Sequence, residues 1–218
     1  MIRVSDIARA VLAPLTEPSM LLSLLMFWAL LTLGLYRLPF GALILILSLP
    51  PMFRYQSFIV DACANSKVPG AFDAEYFSWV GTGWTMFPLL LAIILGYAGF
   101  RATEAWGATG MWAAIIVSAA IVSASLAVLA ITHSAIQAMN PVALFRVVEQ
   151  AGMQFIAAPV YILLVAGLTL ESGTLPLWAI LFVLVFVMFS VASLTGTLIA
   201  GPGLAEKVGI PEPLGPDE

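Results

Sequence analysis

Arg54, Ser57, Asp61 and Asn65 are spaced at i, i+3, i+7 and i+11, so on a helix they share one face. A guanidinium meets a phosphate in a two-pronged fork, which suits Arg54 to a lipid headgroup. Asp61 on that face could pair with Lys67 or with Arg146 farther along. His133, Gln137 and Asn140 follow at i, i+4 and i+7 and make a second polar face. Imidazole titrates near neutral pH and can relay a proton. One histidine, however, cannot build a bis-histidine haem site or a histidine-rich metal centre. If the two faces meet, Arg54, Asp61, His133 and Gln137 enclose one polar pocket; apart, they are two helix ends bathed in water.

Other chemistry is missing by residue type or by spacing. Asp73 and Glu75 are separated by one residue and point apart on a helix, whereas paired-carboxylate catalysis needs convergent oxygens. Cys63 is the sole cysteine, which excludes an internal disulfide and a cysteine-based zinc or iron–sulfur site. The sequence has no P-loop, nucleophile elbow, HExxH or dinucleotide fingerprint. The candidate site is therefore a lipid- or partner-binding one, made of Arg54, Asp61, Asp73, His133, Gln137, Asn140 and Arg146. No catalytic residue, cofactor or metal is expected.

These residues must be positioned by an apolar scaffold. Of 218 residues, 62% are hydrophobic and only 9% charged, against about 25% charged in an ordinary soluble domain. Between Glu104 and Arg146 no residue carries a formal charge. A helix needs roughly 20 apolar residues to cross a bilayer core, and the apolar runs predict six such helices in three hairpins, an all-α polytopic fold. The first runs from about Pro18 to Tyr36. The second runs from Phe40 past Arg54, with a kink expected at Pro50-Pro51. The third covers about Trp84 to Phe100, and Arg101 to Trp106 form the turn after it. The fourth covers about Met111 to Ala135 and onward to Met139, where Asn140-Pro141 stops it. The fifth is about Met153 to Leu170, and the sixth about Leu175 to Ala200.

Residues 18–200 thus form the transmembrane domain. Residues 1–17 make a leader in which Ser5 could cap a short helix from Asp6 to Leu12, either interfacial or solvated. Residues 201–218, rich in proline, are a tail that cannot bury much. Phe72, Tyr76 and Trp79 stand at helical spacing, and residues 141–150 read as an amphipathic helix opened by proline. Both segments would lie flat under the membrane. Six helices put both termini on one side, with Arg3, Arg9, Arg54, Lys67, Arg146 and Lys207; the other side holds Arg37 and Arg101. The positive-inside rule makes the first side cytoplasmic. The net charge is −4 and no basic cluster is present, so nucleic acid is not an expected partner.

Arg54-Tyr55 at the end of the second helix, the segment from Val68 to Asp73, and Met139-Asn140-Pro141 before an amphipathic stretch resemble a loose group of bacterial multi-pass membrane proteins. These are akin to the membrane domain fused to some glycerophosphodiester phosphodiesterases and, more distantly, to the Yip-type family. The resemblance covers about Pro18 to Leu198 and lacks the phosphodiesterase domain, so it implies a membrane-embedded accessory or lipid-contacting role without a reaction. The expectation is an accessory protein of the bacterial inner membrane that organises lipid, a partner complex or a second copy of itself. A small transporter or flippase, with a path along the prolines and serine faces, is the first rival. An enzyme acting on lipid headgroups at Arg54, Asp61 and His133 is the second.

Overall fold

Proline and glycine set the limits of most helices in this chain. The computed structural model describes residues 3–73, 86–171 and 175–200, and among these every regular element is helical. The order is α1 (Val4–Thr16), α2 (Pro18–Tyr36), α3 (Gly41–Ala64), α4 (Phe87–Thr132), α5 (Ala135–Met139), α6 (Pro141–Ala151), a 3-10 turn (Gly152–Ile156), α7 (Ala157–Glu171) and α8 (Leu177–Ile199). Proline occupies the first turn of α2, α4 and α6, where its missing N–H costs nothing. Among the described residues, five helical stretches are long and apolar enough to cross a membrane. The protein is therefore an all-helical, multi-pass membrane protein.

The 46-residue α4 would be about 69 Å long if straight, more than twice a bilayer core. It folds back instead at Gly107, whose φ of 59° and ψ of −139° are open only to glycine. The two limbs, residues 87–106 (α4a) and 108–132 (α4b), then run side by side. A Cβ on Gly99 would lie 3.6 Å from that of Ala114, and one on Gly110 would strike the Ala102 carbonyl. The turn expected at Arg101 to Trp106 is helical throughout, and the single glycine after it makes the reversal.

Small residues bring other helices equally close. A Cβ on Gly41 would strike the Gly34 carbonyl across the α2–α3 hairpin, and one on Gly196 of α8 would lie 2.6 Å from Cys63 Cβ of α3. In a membrane, where lipid is as apolar as leucine, such close packing drives helix association. The core gathers Phe27, Tyr55 and Phe189, with Phe72 packed among them. Phe27 and Phe72 meet edge to face at 4.9 Å, and Tyr55 and Phe189 at 5.2 Å.

α3 carries Pro50 and Pro51 within one helix. Some expectations change. α1 starts earlier and ends later than expected, and its first turn is closed by Asp6 accepting from the Arg3 N–H at 3.0 Å, not by Ser5. It also packs along α8: Ala10 joins Leu194 and Leu198 in a small core. Pro14 offers no N–H to the carbonyl of Ala10, and beside that gap Ser190 Oγ donates to the Val11 carbonyl at 2.8 Å. Phe72 lies outside any helix. Tyr76, Trp79, Trp84 and the tail lie outside the described residues.

Candidate functional site

The last turn of α3 and the end of α4b carry the polar groups that meet. Asp61 sits one turn before the end of α3, and Asn65 caps that end, its Nδ2 donating to the Asp61 carbonyl at 2.9 Å and to Oδ1 at 3.3 Å. α4b stops at Thr132 because His133 adopts left-handed φ and ψ of 48° and 27°. Its N–H still closes on the Leu129 carbonyl at 2.8 Å. That cap geometry usually falls to glycine or asparagine. It turns the imidazole toward α3, and Nε2 comes within 3.1 Å of Asp61 Oδ1. Both side chains remain about a third exposed, 37% for His133 and 32% for Asp61, so water screens the pair.

The left-handed residue also undoes the second polar face, which assumed one helix through Met139. Ser134 starts a new turn, its Oγ accepting from the Gln137 N–H at 3.4 Å, and Gln137 rides on α5. Asn140 caps α6 instead of facing a pocket: its Oδ1 accepts from the Val142 N–H at 3.0 Å. Asp61 meets His133 rather than Lys67 or Arg146; Arg146 is exposed on α6. Arg54 is half-buried two turns before Asp61, and Ser57 between them is buried, donating to the Phe53 carbonyl at 3.3 Å. Asp73 is exposed at the end of the described segment. Asp61 and His133, both candidate residues, are thus in direct contact.

α5, α6 and the 3-10 turn form a layer across this end of the bundle. Ala143 and Val147 of α6 point inward. Ile136, Met139, Val142, Phe145 and Met153 are exposed, Phe145 by 69%, with Arg146 beside them. The segment from Val68 to Asp73 is pinned to the same end. Ser19 Oγ donates to the Pro69 carbonyl at 2.7 Å, Tyr55 Oη donates to that of Gly70 at 2.8 Å, and Ser23 Oγ accepts from the Phe72 N–H at 3.0 Å.

Spacing gave no sign of what lies deeper. Between α2, α3, both limbs of α4, α7 and α8 is a groove of about 710 Å³, open along Ala92, Gly96 and Thr103, with an almost wholly apolar wall. Gln56 borders it, 3% exposed, with Oε1 unpartnered. Its Nε2 donates to the Met188 carbonyl at 3.4 Å. Its amide, between Arg54 and Ser57 but off the face they share with Asp61, was the available signal. Among the described residues no cluster of three or more histidine, cysteine or carboxylate side chains could hold a metal.

No family model, no curated protein and no solved structure matches this chain.

Proposed function

We propose that the protein is an accessory component of the bacterial inner membrane, with six spans in three hairpins and both termini cytoplasmic. It organises anionic lipid or a partner complex at its cytoplasmic end, as the proteins it resembles would. The reversal of α4 at Gly107 supports counting α4 as two spans. α7 with its preceding 3-10 turn reaches about 32 Å, enough for another. The six-to-two split of Lys and Arg supports the orientation.

The observation that carries this reading is the α5–α6 layer. Its outer face is apolar at Val142 and Phe145 and charged at Arg146 and Glu149, the pattern of a helix lying at the headgroup level. A cation near an anionic leaflet contributes about 1 kcal/mol, or roughly fivefold in retention. Arg146→Ala should lower co-purifying anionic lipid by about that factor, measured by mass spectrometry of protein extracted from native membranes. Unchanged lipid and partner content would end the reading.

Asp61 and His133 at 3.1 Å favour one second reading, an enzyme acting on lipid headgroups. A carboxylate can orient an imidazole as a general base for water. Phospholipid turnover by the purified protein, lost in His133→Gln, is what that reading requires. The solute-transporter reading gains nothing from an apolar groove wall, because a polar solute would lose its water there without replacement.

A further inference from the structure

We infer that the groove beside α4a is a lateral gate, with α4a as the wall that closes it onto α3. Two helical stripes border the groove. On α3, Leu45, Leu49 and Met52 stand at i, i+4 and i+7, and all are bulky. On α4a, Ala92, Gly96 and Gly99 repeat that spacing with small residues. Small residues on one helix let another approach closely within a membrane.

The stripes are also in register. α3 and α4b end together, where Asp61 meets His133. Ala42 stands nineteen residues before Asp61 and Ala114 nineteen before His133, so equal rise puts these two level. Gly99 faces Ala114 across the α4 hairpin. Because α4a runs antiparallel to α4b and α3, Gly96 is level with Leu45, and Ala92 with Leu49.

In this structure the small stripe has no partner. Ala92 and Gly96 are exposed, and a Cβ on Gly96 would meet nothing within 4 Å. Gly34, Gly41, Gly99, Gly110 and Gly196 each have a close neighbour, and Gly107 makes the reversal. Gly96 has neither reason to be glycine, although glycine weakens a helix relative to alanine. Closure onto α3 supplies the missing close approach. Both ends of the limb are held, by the buried Phe87 and by the reversal at Gly107. Its middle can bow, and the two glycines there are where the helix bends most readily. Opening admits lipid chains from the bilayer to the groove, and closing expels them.

The test uses the full-length chain with its sole cysteine removed by Cys63→Ala, in liposomes of phosphatidylethanolamine and phosphatidylglycerol. Spin labels are placed through Leu47→Cys on α3 and Ile93→Cys on α4a, both exposed positions. Pulsed dipolar spectroscopy should show two distances between them. Gly96→Phe should cut the shorter population at least threefold. It should melt no lower than its parent, because the open groove has room for the ring. Gly96→Ala, which adds one methyl group, should cut that population by less. A single distance in the parent would overturn the inference, as would a shorter population that both Gly96 variants leave in place. A shorter distance arising between singly labelled copies would overturn it too, by making a second chain the wall. Arg146 lies outside the groove, so the outcome is independent of lipid retention at the α6 face.

Discussion

Asp61 and Gln56 stand on the same helix, about 7.5 Å apart along its axis, and the fold treats them in opposite ways. Asp61 is part-exposed and meets both His133 and Asn65. Gln56 is buried, holds one long hydrogen bond and leaves its oxygen orphaned. A polar group at a water-facing edge can always be satisfied, so its partner there adds little. A polar group buried in the bundle has no such recourse, and an unmet one is informative. Polarity is plentiful at the end of this bundle, but the unmet demand lies within it.

The strongest way to break the comparison is to move α3 itself. Gly196 packs onto Val60 and Cys63, so Gly196→Leu should displace α3 from α8 and disturb both sites together. A loss of about 3 kcal/mol is expected from overpacking, seen as a lowered melting temperature in detergent. Gly107→Ala separates the two regions. Alanine cannot easily take a φ of 59° with a ψ of −139°, so the α4 hairpin should lose about 1–3 kcal/mol. Distance measurements by spin labels on α3 and α4a should show the groove wall loosened, with the contact between Asp61 and His133 retained. The smallest effect belongs to Asp61→Ala. Because the pair is screened by water, its loss should cost less than about 1 kcal/mol in the same melts. A larger loss would show that the junction clamps α3 to α4b and would bring the two regions closer in kind.

Much of the architecture was legible beforehand because spanning helices are written in local composition. α2, α6 and α8 fall within a residue or two of the expected limits, and Asn140-Pro141 does start α6. Asp61 and His133 were also singled out, but for the wrong geometry. Spacing placed His133 with Gln137 on one continuous helix; its left-handed backbone broke that helix and delivered the imidazole to Asp61 instead. Phe72 was read by its period as helical, whereas the hydroxyls of Ser19 and Tyr55 donate to the carbonyls of Pro69 and Gly70 and tie down the non-helical segment that carries it. Gln56 drew no notice, because it stands off the face that Arg54, Ser57, Asp61 and Asn65 share.

By itself the sequence determined that this chain is an all-helical membrane protein, where most apolar stretches begin and end, and which residues are polar at their edges. These follow from the rise of a helix, the thickness of a bilayer and the backbone restrictions of proline and glycine, all of which act within a few residues. Only the tertiary structure decided that Asp61 meets a histidine 72 positions away, that Gln56 meets a carbonyl 132 positions away, and that six helical walls leave an apolar groove between them. Those outcomes depend on how finished helices lie against one another, which no local period encodes.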